Sequence, residues 1–234
     1  MTDKEVLVLK EFKSKFLAFS EKYKHFGVLL AYFVVYLVWF HYIENTVTSH
    51  FHVIHTRLDD LIPFCEFFVV PYFLWFFYVA WGFLYFGFHN KNDFYRMCGF
   101  LFTGMTLFLI ISTLYPNGHY LRPDAFARDN IFTRLCAFLY QTDTATNLFP
   151  SIHVYNSVGV HLAVTHSERF KNDRKSKTIS FLLMFSIILS TMFIKQHSTF
   201  DVITALLLCA VMNRVVYRDR NRAARTVRRT KVAA

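Results

Sequence analysis

Long stretches of this chain carry almost no charge, and that decides the solvent in which it can fold. A helix needs about 20 mostly apolar residues to cross the hydrocarbon of a bilayer. Stretches at 26–43, 63–88, 97–115, 179–194 and 200–217 meet or approach that requirement, and a weaker one runs over 151–165. Glu66 and Pro71 interrupt the second stretch. The weak one holds Asn156, Ser157 and His161, so it is expected to face other helices rather than lipid. With 54% hydrophobic and 19% aromatic residues and a mean hydropathy of +0.30, the composition is far from that of a soluble domain. The expected fold is all-α, a polytopic membrane bundle of six transmembrane spans.

Charge gives an independent reading of orientation. Lys4, Lys10, Lys13, Lys15, Lys22 and Lys24 crowd the first segment, SERFKNDRKSKT follows the fourth stretch, and the end reads RDRNRAARTVRRTK. Lys91 and Arg96 mark the short turn after the second stretch. Six spans place all of these on one side, as the positive-inside rule requires, whereas five or seven would split them. Both termini are therefore expected to be cytoplasmic. The net charge of +10 then describes mainly the cytoplasmic face, where it suits anionic lipid better than nucleic acid. Residues 1–24 carry an apolar stripe (Val6, Leu7, Leu9, Phe12, Phe16, Leu17, Phe19) opposite Lys and Glu. That stripe fits an interfacial amphipathic helix or a contact with a second copy of the chain. The organisation expected is this segment, a catalytic membrane domain over 25–217, and a basic tail over 218–234.

Cys65, Cys98, Cys136 and Cys209 are widely spaced, and they read as small buried hydrophobes rather than disulfides or zinc ligands. No removable signal peptide is expected, and the first span would serve as an anchor. His50, His52 and His55 with Asp59 and Asp60 make a His-rich stretch, but its spacing matches no specific metal site. Glu66 and Pro71 within a span would suit a transporter, which should carry further charges at mid-span. Instead the polar groups gather near one face.

Three polar clusters reach that face, the non-cytoplasmic one. YPNGHYLRPDAF carries His119 and Arg122, LFPSIHVYN opens the fourth span at Ser151 with His153 just inside, and KQHSTFD carries Lys195, His197 and Asp201. Ionisable groups at a membrane entry are costly and are functional by default. Two imidazoles, a carboxylate, two cations and a helix amino-terminus at one depth suit the binding and transfer of a phosphate. Arg122 would supply planar donors to phosphate oxygens, Lys195 a point charge, and Ser151 with the first amides of its helix a cradle. His197 lies four residues before Asp201, on one helical face, so the carboxylate can orient it as the nucleophile. That leaves His153 as the acid for the departing oxygen. No cofactor and no metal are called for, since the cations would offset the phosphoryl charge.

Arg122-Pro123, Pro150-Ser151-Ile152-His153 and His197-x-x-x-Asp201, in this order and spacing, resemble the three signature motifs of the type-2 phosphatidic acid phosphatase superfamily. The resemblance covers about 115–210. It implies a six-span fold and a metal-independent phosphohistidine mechanism with His197, His153 and Asp201 in the roles above. Tyr115 stands where that family's first motif begins with Lys, Ile152 where its second has Gly, and Thr191 where its third has Arg. Lys195 is a candidate replacement for one missing cation. The KQH-x-x-x-D form looks more like the inositol phosphorylceramide and sphingomyelin synthase branch, which transfers a phospho-headgroup between lipids. The expected substrate is a membrane lipid in either case, with water or a second lipid as acceptor.

Overall fold

The computed structural model describes residues 13, 15, 20–47 and 50–218. Of the interfacial segment expected over 1–24 only 13, 15 and 20–24 are described, and the basic tail expected over 218–234 lies outside the described residues beyond 218. The chain runs through α1 (Phe26–Thr46), strand β1 (His52–Val53), α2 (Arg57–Leu61), a 3-10 turn (Glu66–Phe68), α3 (Val69–His89) and α4 (Lys91–Leu114). There follow β2 (Asn117–Gly118), α5 (Ile131–Thr142), α6 (Ile152–His166), a second 3-10 turn (Glu168–Phe170), α7 (Arg174–Phe193) and α8 (Thr199–Val216).

Five of these helices are long and apolar enough to cross a bilayer: α1, α3 with its preceding turn, α4, α7 and α8. The weak fourth stretch becomes α6, whose 15 residues give a rod of about 22 Å. It is the central helix, packed against α3, α4, α7 and α8, with His153, Val154, Tyr155, Asn156 and Ser157 all buried. Its polar, small-residue sequence follows from that position, because a helix surrounded by helices has no lipid to face. Close approach is made possible by glycine. A Cβ at Gly104 of α4 would lie 2.0 Å from the Tyr155 ring, and one at Gly159 of α6 would lie 2.5 Å from Leu101.

Element boundaries depart from the hydropathy in instructive ways. Pro63 stays outside α3, and Pro71 falls in its first turn, where a missing N–H is one that the helix could not have bonded anyway. Glu66 is not a mid-span charge. It sits in the turn before α3 and accepts hydrogen bonds from Asn130 Nδ2 (3.1 Å) and Arg128 Nη1 (3.3 Å). α4 starts at Lys91, capped by the Asn90 side chain, which accepts from the amides of Asn92 and Asp93.

An outer layer covers the end of the bundle where α6 and α8 begin. β1 and β2 pair in parallel, His52 beside Asn117 and Val53 beside Gly118. The buried Asn117 side chain accepts from the amides of Leu148 and Phe149, which fixes the chain just ahead of α6. The loop expected between the third and fourth stretches contains an amphipathic helix, α5, which buries Cys136 and Leu139 against Val69, Tyr72 and Ile194. The four cysteines are free thiols.

Candidate active site

The two site histidines come from different helices and meet in the bundle. His153, in the first turn of α6, has Nδ1 3.2 Å from Nε2 of His197, which lies in the turn between α7 and α8. Behind them, Oδ2 of Asp201 is 3.4 Å from His197 Nδ1. The three side chains therefore form one file, all of it buried. Taking the Asp201 side as the place of the Nδ1 proton leaves the His197 Nε2 lone pair facing His153. Burial pushes His197 down to about 3, so its imidazole is neutral, as a nucleophile must be.

Asp201 serves its own helix. As the third residue of α8 it also accepts the Ser198 amide (2.9 Å) while the Ser198 side chain accepts from Phe200, closing a capping box. The capping hydrogen bond of this carboxylate is in place, while His197 Nδ1 stands 3.4 Å from it without a hydrogen bond among the described residues. A second carboxylate, Asp59 of α2, reinforces the same helix start. Its oxygens accept from Ser198 Oγ (2.6 Å), Thr199 N (2.7 Å) and Thr56 N (2.8 Å). Burial raises its pKa, but those hydrogen bonds outweigh burial and hold it below the ordinary carboxylate value.

Ser151 is the N-cap of α6, fully buried, with its hydroxyl accepting the Val154 amide at 3.3 Å. The positive end of that helix thus points at the two histidines. Arg122 reaches the same region from the outer loop, its guanidinium over the Tyr140 ring at 4.5 Å. It donates to the carbonyls of Tyr140 (3.2 Å), Asp143 (2.8 Å) and Thr144 (3.0 Å) and to the side-chain oxygen of Gln196. Its buried Nε has no partner among the described residues. His119 is tucked beneath, Nε2 at 3.1 Å from the Gln196 carbonyl, and burial pushes it down to about 4.

Lys195 is not brought into the cluster. Its backbone adopts φ of 54°, the left-handed conformation that usually falls to glycine after a helix end. The side chain swings to the other side, where the ammonium donates to the carbonyls of Asp59 (2.7 Å) and Ile62. Neither of the other motif departures supplies a cation. Tyr115 stacks on His52 at 4.0 Å, and Thr191 is buried with its hydroxyl on the Ile188 carbonyl. In the His-rich stretch His55 pairs with Asp60 at 2.8 Å. Among the described residues no three His, Cys, Asp or Glu side chains gather as a metal site.

Asp143 is a member of the site that no motif marks. It accepts from Tyr72 Oη (3.0 Å), and Gln196 Nε2 lies 3.5 Å away. Burial pushes it up to about 6, with the Tyr72 hydrogen bond and the Arg122 charge working against that shift. His153 itself is walled by Tyr72 and Trp75, with ring centroids at 4.6 and 4.3 Å. Nothing in local sequence ties Asp143 to Tyr72, 71 residues earlier, or Asp59 to Ser198, 139 residues later. Both are assembled only by the tertiary fold.

Chemically, the file can hold a neutral imidazole with its lone pair facing a second imidazole that can carry a proton, beside a guanidinium and a helix amino-terminus. The PAP2 superfamily model matches residues 121–225. No curated protein and no solved structure matches the chain. Residues 121–225, which supply Arg122, Ser151, His153, His197 and Asp201, are a segment of the PAP2 superfamily, and with the five long apolar helices they mark the chain as a multi-pass membrane protein of phosphatase type.

Proposed function

We propose that this protein is an integral-membrane lipid phosphatase that hydrolyses a phosphate or pyrophosphate ester of a membrane lipid through a phosphohistidine on His197. The observation that carries the reading is the file His153–His197–Asp201, with separations of 3.2 and 3.4 Å. The phosphoryl group enters between the two imidazoles, with its oxygens toward Arg122 and the start of α6. Nε2 of His197 attacks phosphorus while Asp201 holds the proton on Nδ1. The bond from phosphorus to the lipid oxygen breaks, its electron pair stays on that oxygen, and His153, as imidazolium, supplies the proton. The phosphate anion provides the counter-charge that an imidazolium needs in so buried a place. Water, deprotonated by the now neutral His153, then attacks phosphorus and frees His197.

Lys195 is left out of the phosphate cradle in this scheme, since its ammonium lies on the Asp59 and Ile62 carbonyls in a pocket lined by His55, Asp59 and Asp60, apart from the cavity that His153 lines. With α6 as a sixth span, both termini are cytoplasmic and the site opens to the opposite face. Alternation of the six helices, with α6 and α8 starting at the same end, supports that topology. Cysteine labelling at exposed Lys171 and at exposed Tyr120 should proceed from opposite sides of sealed vesicles, and same-side labelling would refute the topology.

Transfer of a phospho-headgroup to a second lipid has one observation in its favour. The Tyr72 and Trp75 rings over His153 leave that imidazole 8% exposed, a shelter from water that a transferase needs. The deciding experiment gives the purified protein labelled phosphatidic acid, a prenyl pyrophosphate and a phosphodiester lipid, with and without a lipid alcohol. Inorganic phosphate released without an acceptor supports hydrolysis. Label that moves only to an added lipid alcohol replaces hydrolysis with transfer, and turnover of none of them defeats both.

A further inference from the structure

α5 belongs to a connection between spans, yet it is apolar on two sides. Cys136 and Leu139 face inward, buried against Val69, Tyr72 and Ile194. At 3.6 residues per turn, Ile131, Leu135 and Phe138 fall on a second stripe, and they are 68%, 36% and 58% exposed. Arg134 and Gln141, seven residues apart and both exposed, run along one edge of that stripe. The Arg134 guanidinium meets Asp129 at 2.9 Å, with both side chains about three-quarters exposed. The outward half of the helix is thus divided lengthwise into an apolar strip and a polar one. Its depth is set by its inner face, because Val69 and Tyr72 stand at the start of α3, and 66–89 is long and apolar enough to cross a bilayer. Phe67 joins the two surfaces. It is half exposed and packs edge-on to Phe132 of α5 at 5.1 Å, and the exposed Val70, Leu74 and Phe77 continue its line down α3. A run of exposed apolar side chains bordered by polar ones marks a surface that something covers.

We propose that α5 lies along the headgroup–acyl boundary of the leaflet on the active-site side, with Ile131, Leu135 and Phe138 among the acyl chains and Arg134 and Gln141 among the headgroups. The partner is the bilayer itself. Continuity with the lipid-facing line of α3 and the polar strip beside the apolar one favour a leaflet over a second copy of the chain, since a half-immersed helix needs both. The seating also ties the membrane to the site. The carbonyls of Tyr140, Asp143 and Thr144, which receive the Arg122 guanidinium, belong to the end of α5 and the two residues after it. The Tyr140 hydroxyl donates to the Ile194 carbonyl at 2.6 Å, just ahead of the turn that carries His197. A leaflet that holds α5 therefore holds the mooring of Arg122. This link to Arg122 rests on the phosphatase reading above, whereas the seating of α5 stands without it.

The test places a fluorescent label at single introduced cysteines, Leu135→Cys, Phe138→Cys or Gln141→Cys, in protein reconstituted into phosphatidylcholine vesicles. Cys65→Ser removes the half-buried native thiol, and Cys98, Cys136 and Cys209 are buried. Labels at 135 and 138 should be quenched by a nitroxide on the lipid acyl chain and spared by aqueous iodide, and the label at 141 should do the reverse. Iodide quenching at 135 and 138 overturns the proposal. Protection of both positions from both quenchers, as a second copy over the stripe would give, overturns it too. A kinetic arm reads the link to Arg122. Leu135→Glu with Phe138→Glu should raise KM for a water-soluble aryl phosphate in vesicles by about threefold or more and leave kcat within about twofold, with Gln141→Glu changing neither. An unchanged KM overturns that link. Acyl-chain quenching at 135 and 138 with no turnover of any phosphate would uphold the seating and sink the enzymatic reading instead.

Discussion

Replacing Asp59 should unfasten the active site from behind. The carboxylate is 3% exposed and receives three hydrogen bonds, from Ser198 Oγ, Thr199 N and Thr56 N, at 2.6 to 2.8 Å. Hydrogen bonds to a charged group contribute about 1.5–3 kcal/mol each, and they are not additive when one side chain makes all three. Asp59→Ala leaves two amides and a hydroxyl to find other partners, so a loss of about 3 kcal/mol is expected. Asp59→Asn is milder, about 1–2 kcal/mol, because its carbonyl oxygen can still serve Thr199 while its NH2 faces another donor at Thr56. The parts released are the turn that holds His197 and the start of α8 that holds Asp201, so kcat should fall with stability while KM moves little. Thermal unfolding in detergent read by intrinsic fluorescence, run beside single-turnover phosphorylation, measures both. An Asp59→Ala protein with parental melting temperature and parental kcat would show that the α2 contact does not support the site.

Other perturbations have equally definite outcomes. His153→Ala, His197→Ala and their double mutant should lose activity to a similar level, since groups acting as one unit are not additive, and Asp201→Asn should retain more than His197→Ala; kcat/KM on one substrate decides. Arg122→Lys exchanges a fork serving three carbonyls and Gln196 for a single ammonium and should lower kcat/KM at least tenfold, whereas an unchanged value would remove Arg122 from phosphate binding. Lys195→Ala should lower the melting temperature and leave KM near parental, since its contacts are backbone carbonyls; a raised KM would return it to the cradle. Because the folded pKa of His197 is depressed to about 3 and its unfolded value is about 6.5, the unfolded chain binds the extra proton between those values. Stability should therefore fall as pH drops from 6.5 toward 3, and less steeply in His197→Asn. Gly104→Ala should destabilise by about 1–3 kcal/mol against the Tyr155 ring, while Gly99→Ala, with open space around it, should not; unfolding midpoints compare them.

The sequence alone disclosed the parts whose physics is local. Five long apolar helices followed from uncharged length and the central place of α6 from its small and polar residues, whereas His197 comes within 3.4 Å of Asp201 from the turn ahead of α8 and not from a face of that helix. What stayed hidden was set by distant partners or by a single backbone angle. α5 is only 12 residues long and amphipathic, so hydropathy over a membrane-sized window passes over it. Asp59 and Asp143 look like ordinary loop carboxylates until the fold sets them against Ser198 and Tyr72. Lys195 is two residues from His197, and proximity in sequence favoured a shared site. Its left-handed turn sends the side chain elsewhere, and no propensity of lysine could have announced that.

A reaction centre set among membrane helices changes what substrate concentration means. On the lipid-phosphatase reading proposed above, the substrate arrives by diffusion within a sheet, so the encounter rate follows the mole fraction of that lipid in the bilayer rather than its amount per litre. Adding buffer to a suspension of proteoliposomes would leave each enzyme's surroundings unchanged, whereas adding inert phospholipid to the same vesicles would starve it. Such an enzyme reports on the make-up of its own membrane, and its output rises wherever the substrate lipid collects in patches, with no change in the total the cell contains.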